Sequence, residues 1–108
     1  MLSNALRPGV MGLTKTLARE VAKDNILVNT VGPGTIATER IEQLTDMRAK
    51  ATGTDPNKLE REMIANIPLG RLGTPDEFAK AVVFLGSFAN TYITGQSLIV
   101  DGGSVRAL

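Results

Sequence analysis

Few residues in this 108-residue chain could do chemistry, because the sequence contains neither cysteine nor histidine. Those absences exclude disulfides, thiolate zinc sites, cysteine nucleophiles and serine–histidine hydrolysis within the chain, and we expect no metal site. The single tyrosine, Tyr92, could be proposed as a proton donor. A lone tyrosine without a placed cation is more often a packing residue, and we favour that interpretation. Arg71 and Asp101 are likewise interpreted as local ion-pair or turn residues.

A glycine–proline loop is the best candidate for contact with a ligand. Residues 26–31 form a short apolar run rich in β-branched side chains, which predicts a strand covered on both faces in a parallel sheet. Gly32, Pro33 and Gly34 are expected to stop this strand and to leave bare backbone at its carboxyl end. Ligands of open α/β sheets bind at that edge, although a plain strand-to-helix turn would have the same composition.

An amphipathic helix is predicted for residues 5–23. Its apolar residues recur at spacings of three and four, which places them on one face. They are Leu6, Val10, Leu13, Leu17 and Val21. Proline is tolerated only in the first turn of a helix, so regular helix is expected to begin near Pro8 or to kink there. Gly9 and Gly12 are poor helix formers, and their usual justification is close approach of another element.

A long helical crossover separates this strand from a second one. Helices are predicted for residues 39–51 and for residues 55–66, and the two could form a lid or a plain crossover without a gating role. Residues 74–77 are a capping box that starts a further helix, which is expected to end near Asn90. Residues 97–100 are then predicted to form a second short buried strand.

The order helix, strand, helices, strand predicts an α/β fold with two parallel strands and flanking helices. A two-stranded parallel sheet has exposed edges and too little area to stand alone, so we expect further strands or a partner. A small helical binding domain is a weaker alternative, because residues 26–31 would then have to be helical despite their branched side chains.

Composition narrows the possible partners and locations. The formal net charge of +1 does not indicate a basic surface for binding nucleic acid, so no such partner is expected. No apolar run approaches the ~20 residues that span a bilayer, so no membrane association is expected. The sequence shows no basic-then-apolar signal peptide, and a cytoplasmic location is the expectation.

Four motifs in a fixed order identify a family. They are GLTKTLA at residues 12–18, VNTVGPG at residues 28–34, PLGR at residues 68–71, and YITGQ at residues 92–96. Thr38 accompanies the second motif, Gly73, Pro75 and Glu77 the third, and VDGG at residues 100–103 the fourth. With them the chain resembles, essentially end to end, the carboxyl-terminal part of the short-chain dehydrogenase/reductase family. The similarity is greatest to its 3-oxoacyl-(acyl carrier protein) reductase-like branch.

The resemblance implies that residues 1–108 are a partial domain, the carboxyl-terminal portion of a Rossmann-like, doubly wound parallel sheet without its nucleotide-binding amino-terminal half. It implies a parent protein that uses NAD or NADP to reduce a small-molecule carbonyl or oxidise an alcohol. In the family, backbone after the Pro-Gly turn contacts the nicotinamide carboxamide, and a threonine reaches the phosphates. These cofactor-binding roles are carried onto Pro33, Gly34, Ile36 and Thr38. Residues 38–66 would shape the substrate pocket.

The catalytic pair departs from the family pattern. Counting back from Gly12, the family's catalytic tyrosine falls on Ser3 and its lysine on Arg7. An aliphatic hydroxyl is a far poorer acid or base than a phenol, whereas arginine keeps the positive charge. We therefore expect the fragment alone to be inactive. The alternative is a non-catalytic oligomerisation or structural fragment, since family members use the helix at residues 5–23 and the last helix and strand to form homo-oligomers.

Overall fold

A computed structural model of the protein describes the backbone of residues 2–105 and the side chains of residues 8–105. The α/β class predicted from the sequence is confirmed, as is the order of its elements. In chain order these are helix α1 (Leu2–Val21), a 3-10 helix (Ala22–Asp24), strand β1 (Thr30–Pro33), helices α2 (Glu39–Thr52), α3 (Pro56–Ala65) and α4 (Pro75–Gly86), and strand β2 (Ser97–Val100).

Strands β1 and β2 pair with each other and run parallel, as predicted. The Thr30 N–H donates to the Gln96 carbonyl at 2.9 Å, and the Gly34 N–H donates to the Val100 carbonyl at 2.8 Å. Donors and acceptors therefore advance by the same number of residues in the same direction, which is the pattern of a parallel ladder. The carboxyl ends of both strands consequently meet at one edge.

Strand β1 begins later than the sequence analysis predicted. Residues 26–29 are not in a strand, because side chains replace the regular ladder there. The Val28 N–H donates to the Thr94 hydroxyl at 2.9 Å, and the Asn29 carboxamide accepts from the Gln96 N–H at 3.1 Å. Residues 28 and 29 are therefore bonded to the segment before β2 without the backbone pattern that defines a strand. Strand β1 itself is half-buried rather than buried on both faces.

Strand β1 ends at Pro33, within the Gly32-Pro33-Gly34 stretch that was predicted to stop it, although Gly32 and Pro33 themselves belong to the strand. The N–H groups of Thr30 and Gly34 point at β2. Successive residues of a strand alternate in direction, so position 33 faces away from β2. The missing N–H of Pro33 therefore removes no hydrogen bond from the β1–β2 ladder.

Helix α1 starts earlier than predicted and contains Pro8 in its interior. The proline has no N–H, so one helical hydrogen bond is missing near the amino end of α1. The predicted apolar stripe is largely uncovered, because Val10 is 45 %, Leu13 64 % and Leu17 40 % exposed. A helix face of this kind needs another surface to cover it.

The described chain divides into two compact units. The first comprises residues 2–32 and 80–99. Its buried residues include Ala18, which lies 3.4 Å from the position that a Cβ on Gly95 would take. The buried Thr14 hydroxyl donates to the Val10 carbonyl and makes a short hydrogen bond with the Thr30 hydroxyl, which ties α1 to the start of β1.

The second unit comprises residues 33–79 and 100–105. Helices α2 and α3 pack against each other in it, and Ala49 and Ile67 are its buried apolar residues among those described. Caps that the sequence predicted fix the helix ends. Asp55 accepts from the Asn57 N–H at 3.0 Å at the start of α3.

Candidate functional site

The predicted cofactor residues lie on residues 33–38, the loop that leaves β1. Its first anchor is the hydrogen bond from the Gly34 N–H to the Val100 carbonyl at the end of β2. A Cβ on Gly34 would lie 2.6 Å from the Asp101 Cβ and 2.7 Å from the Asp101 Cα. Contacts that short do not occur between carbon atoms, so only glycine permits this approach of backbone to backbone.

The second anchor of the loop is Gly73, in the connector before α4. The Gly73 N–H donates to the Thr35 carbonyl at 3.1 Å, and the Ala37 N–H donates to the Gly73 carbonyl at 2.8 Å. Together these bonds form an isolated parallel bridge between Ile36 and Gly73. A Cβ on Gly73 would lie 2.8 Å from the Ile36 Cδ1, the far end of a side chain that can turn aside, so the close approach at this anchor is less restrictive than that at Gly34. Apart from the glycine-rich connector, no local pattern in the sequence predicts this bridge.

The bridge leaves the backbone of Ile36 turned outward. Because the Thr35 carbonyl and the Ala37 N–H both point at Gly73, the N–H and carbonyl of Ile36 point to the opposite side of the loop. One residue then offers a donor and an acceptor side by side. A primary carboxamide, which has an NH₂ donor and a carbonyl acceptor, is complementary to that pair. The loop thus fits the carboxamide of a nicotinamide cofactor.

Thr38 ends the loop and caps α2. Its hydroxyl oxygen accepts from the Ile41 N–H at 3.4 Å, a role that the sequence analysis did not assign. Because the oxygen acts there as an acceptor, the hydroxyl proton remains available to donate to an anion. Glu39 and Glu42 follow in the first turn. Their negative charges stabilise the amino terminus of α2, which carries a partial positive charge, but they repel a phosphate placed beside it.

A cavity of about 480 Å³ lies beside Thr38, between α2, α3 and the end of the connector. Four carboxylates line it, together with an apolar side made by Ile41, Met63 and Leu72. The carboxylates belong to Glu39, Glu42, Asp46 and Glu60. Residues 38–66 thus form a concave surface next to the loop. Whether they move as a lid stays a prediction.

The predicted catalytic positions, Ser3 and Arg7, belong to the first two turns of α1. Their side chains lie outside the described part of the protein, so their roles stay predictions. Tyr92 is 96 % exposed, and the interpretation that it packs in the chain was wrong. It lies in a loop before β2, where nothing in the described residues covers its ring.

Arg71 and Asp101 have the local roles that the sequence predicted. Arg71 forms a two-pronged ion pair with Glu77, with nitrogen–oxygen distances of 2.7 and 2.9 Å. The hydrogen bonds from Arg71 and from the Thr74 N–H lower the pKa of Glu77 from its ordinary 4.5 to about 2. The Asp101 carboxylate accepts from the N–H groups of Gly103 and Val105, which closes the turn after β2.

The described residues contain neither a candidate membrane-spanning helix nor a candidate metal-binding cluster. Across residues 2–105, no helix combines the length and the apolar character that crossing a bilayer requires. In the same part of the chain, no group of three or more acidic or other ligand side chains is arranged to hold a metal ion.

Comparison with known sequences gives consistent matches over nearly the whole chain. The family model for enoyl-(acyl carrier protein) reductase matches residues 2–105. The chain is 46 % identical over 99 residues to the 3-oxoacyl-(acyl carrier protein) reductase of Vibrio harveyi, which covers 92 % of the chain and 36 % of that protein. It is 43 % identical over 101 residues to the same enzyme of Thermotoga maritima, covering 94 % and 37 %.

Solved structures give the same picture. The L-sorbose reductase of Gluconobacter frateurii, in complex with NADPH and L-sorbose, superposes with a TM-score of 0.88 and 36 % identity. That match covers 97 % of this chain and 40 % of the reductase. A short-chain dehydrogenase family protein of Francisella tularensis superposes with a TM-score of 0.85 and 34 % identity, covering 91 % and 40 %. The chain spans little more than a third of the length of its curated relatives.

Proposed function

The chain belongs to the short-chain dehydrogenase/reductase family of oxidoreductases, and from that premise we propose a function for it as the carboxyl-terminal part of such an enzyme. The complete protein would use NAD or NADP to reduce a small-molecule carbonyl or to oxidise the corresponding alcohol. Residues 1–108 by themselves would not turn over substrate. The outward-facing N–H and carbonyl of Ile36, held between two anchors, are the observation that carries the proposal.

The loop residues would bind and orient the cofactor. A bound nicotinamide supplies or accepts the hydride. Ile36 would hold the carboxamide through its backbone, while Pro33 and Gly34 keep the loop against the end of β2. The Thr38 hydroxyl would donate to a phosphate oxygen. In this proposal, backbone groups at the strand end hold the carboxamide, so the side chains of the loop need not contact it. The exposure of Pro33 is consistent with such a role.

Ser3 and Arg7, at the positions of the family's catalytic tyrosine and lysine, would transfer protons less efficiently than that pair. Arg7 would supply a positive charge for ribose hydroxyl groups, as the family's lysine does, but with a planar fork in place of a point charge. Ser3 would present an aliphatic hydroxyl, whose pKa lies too far above neutrality for efficient proton exchange. Loss of turnover in the isolated chain follows from these two substitutions as well as from its length.

The cavity between α2 and α3 would receive the substrate. Its apolar lining residues suit a hydrocarbon portion, and the carboxylates of Glu39, Glu42, Asp46 and Glu60 also line it. Negative charges that line a concave site repel anions and attract cations. We therefore propose a neutral or cationic carbonyl or alcohol as the substrate, in a protein located in the cytoplasm. Cell fractionation would test the location.

Titration with NADPH and with NADH, followed by saturation-transfer NMR, tests cofactor binding by the chain. We expect transfer to the nicotinamide protons at millimolar cofactor. Thr38→Val should weaken binding by about tenfold or more, since a hydrogen bond to a charged group contributes about 1.5–3 kcal/mol. Thr52→Val is the matched control, because Thr52 is exposed on the same helix away from the loop. The absence of binding at millimolar cofactor would contradict the cofactor site.

A second candidate function is a non-catalytic fragment that assembles with copies of itself. Exposed apolar side chains in the first unit favour it, because a surface of that kind is seldom left in water. They include Val10, Leu13, Leu17, Val83, Phe84 and Leu98. Isologous pairing is the commonest route to homo-oligomers. Light scattering that shows a sharp monomer mass, together with cooperative melting, would contradict self-assembly.

A further inference from the structure

The backbone that carries Ile36 has no side-chain hydrogen bond of its own in the described structure. Its geometry depends on the main-chain anchors at Gly34 and at Gly73. The Gly34 anchor belongs to the β1–β2 ladder. Gly73 lies in an irregular connector, outside any helix or strand, so its position must be fixed by other contacts.

Those contacts converge on one carboxylate. Glu77 Oε1 accepts from the Arg71 guanidinium at 2.7 Å and from the Thr74 N–H at 3.1 Å, and Oε2 accepts from Arg71 at 2.9 Å. Arg71 lies two residues before Gly73, and Thr74 lies one residue after it. The Arg71 guanidinium also donates to the Leu72 carbonyl at 3.2 Å. Both flanks of Gly73 are therefore tied to the first turn of α4.

We propose that Arg71 and Glu77 are positioning residues for the cofactor loop. Their ion pair fixes Gly73, and Gly73 holds Thr35 and Ala37 so that the N–H and carbonyl of Ile36 face the ligand. The inference rests on the proposed cofactor role of the loop, and it assigns a function to an ion pair that is remote in sequence from the residues it orients. An exposed ion pair adds little to stability, so its effect should be local.

Hydrogen exchange of individual amides tests the coupling in the absence of cofactor. Arg71→Gln removes the ion pair but leaves the Glu77 cap of α4 intact. The Ala37 amide, which donates to Gly73, should exchange severalfold faster, because losing an exposed ion pair lowers the free energy of local opening modestly. The Gly34 amide, bonded to Val100, and the Glu77 amide, bonded to the Thr74 hydroxyl, should exchange as in the wild type.

Two further variants keep the test decisive. Arg71→Lys retains the charge without the fork, and we expect it to restore part of the Ala37 protection. Arg61→Gln is the matched control, since Arg61 is an exposed arginine on α3, and it should leave all three amides unchanged. Unchanged exchange at Ala37 in both Arg71 variants would overturn the proposal. Equal acceleration at Gly34, Ala37 and Glu77 would also overturn it, because it would indicate general destabilisation.

NADPH binding separates this proposal from the function on which it rests. In the wild type, NADPH should slow exchange of the Ile36 amide, and its dissociation constant should rise severalfold in Arg71→Gln but not in Arg61→Gln. If NADPH leaves the wild-type Ile36 amide unaffected while Arg71→Gln still exposes Ala37, the cofactor role of the loop is refuted. If NADPH protects Ile36 equally in both proteins, the positioning role is refuted instead.

Discussion

Replacing Gly34 by alanine should destabilise the protein more than any ordinary glycine-to-alanine change. The new Cβ would lie 2.6 Å from the Asp101 Cβ and 2.7 Å from the Asp101 Cα, whereas carbon atoms in contact are about 3.5–4.0 Å apart. The deficit of about 1 Å cannot be removed by rotating a side chain, because backbone atoms are involved. The loop must therefore move away from the end of β2.

Moving the loop has two energetic consequences. Forcing an extra methyl group into a packed position costs about 1–3 kcal/mol. The displacement also strains the 2.8 Å hydrogen bond from the Gly34 N–H to the Val100 carbonyl, and a typical hydrogen bond contributes about 1 kcal/mol. We expect a total loss of about 2–4 kcal/mol in the free energy of unfolding.

Urea denaturation at one fixed protein concentration measures this loss, because self-association would shift the apparent stability. With a urea dependence of about 1–3 kcal/mol per molar, the midpoint should fall by about 0.7–4 M. Gly86→Ala is the matched control. Nothing lies within 4 Å of its added Cβ, so its free energy should change by less than about 1 kcal/mol. If the two variants have the same midpoint, the close approach of Gly34 to Asp101 is wrong.

Two further predictions concern charge and exposed surface. Because the pKa of Glu77 is lowered from 4.5 to about 2, its stabilising effect is complete above pH 4.5 and is lost as the pH falls toward 2. The denaturation midpoint should decline over that interval less in Glu77→Gln than in the wild type, and equal declines would contradict the ion pair. Leu13→Glu should reduce self-association in light scattering, whereas Met47→Glu, at 66 % against 64 % exposure, should not. Equal effects of the two substitutions would argue against an interface on α1.

Local signals in the sequence predicted most of the helices. Asp55 before a proline marked the start of α3, and the capping box of Thr74 and Glu77 marked the start of α4. Such signals act within one turn, so the sequence alone contains them. The order of the elements likewise predicted the parallel pairing of β1 and β2, because two strands joined by a helical crossover run in the same direction.

Features that depend on distant contacts could not be predicted in the same way. Side chains of Asn29 and Thr94 replace ladder hydrogen bonds, so an apolar run that looks like a strand is not assigned as one. Pro8 lies inside α1 although its local preference is for a first turn. The bridge between Ile36 and Gly73 joins residues 37 positions apart, and no short motif encodes such a pairing.

The proline at the end of β1 restricts how the sheet can grow. A polypeptide added at the outer edge of β1 could receive a main-chain hydrogen bond from the Val31 N–H, but none from Pro33. Pairing of another chain with this edge through main-chain hydrogen bonds is therefore interrupted at Pro33. A chain that pairs with this edge finds one main-chain donor, at Val31, and cannot continue a regular ladder past Pro33.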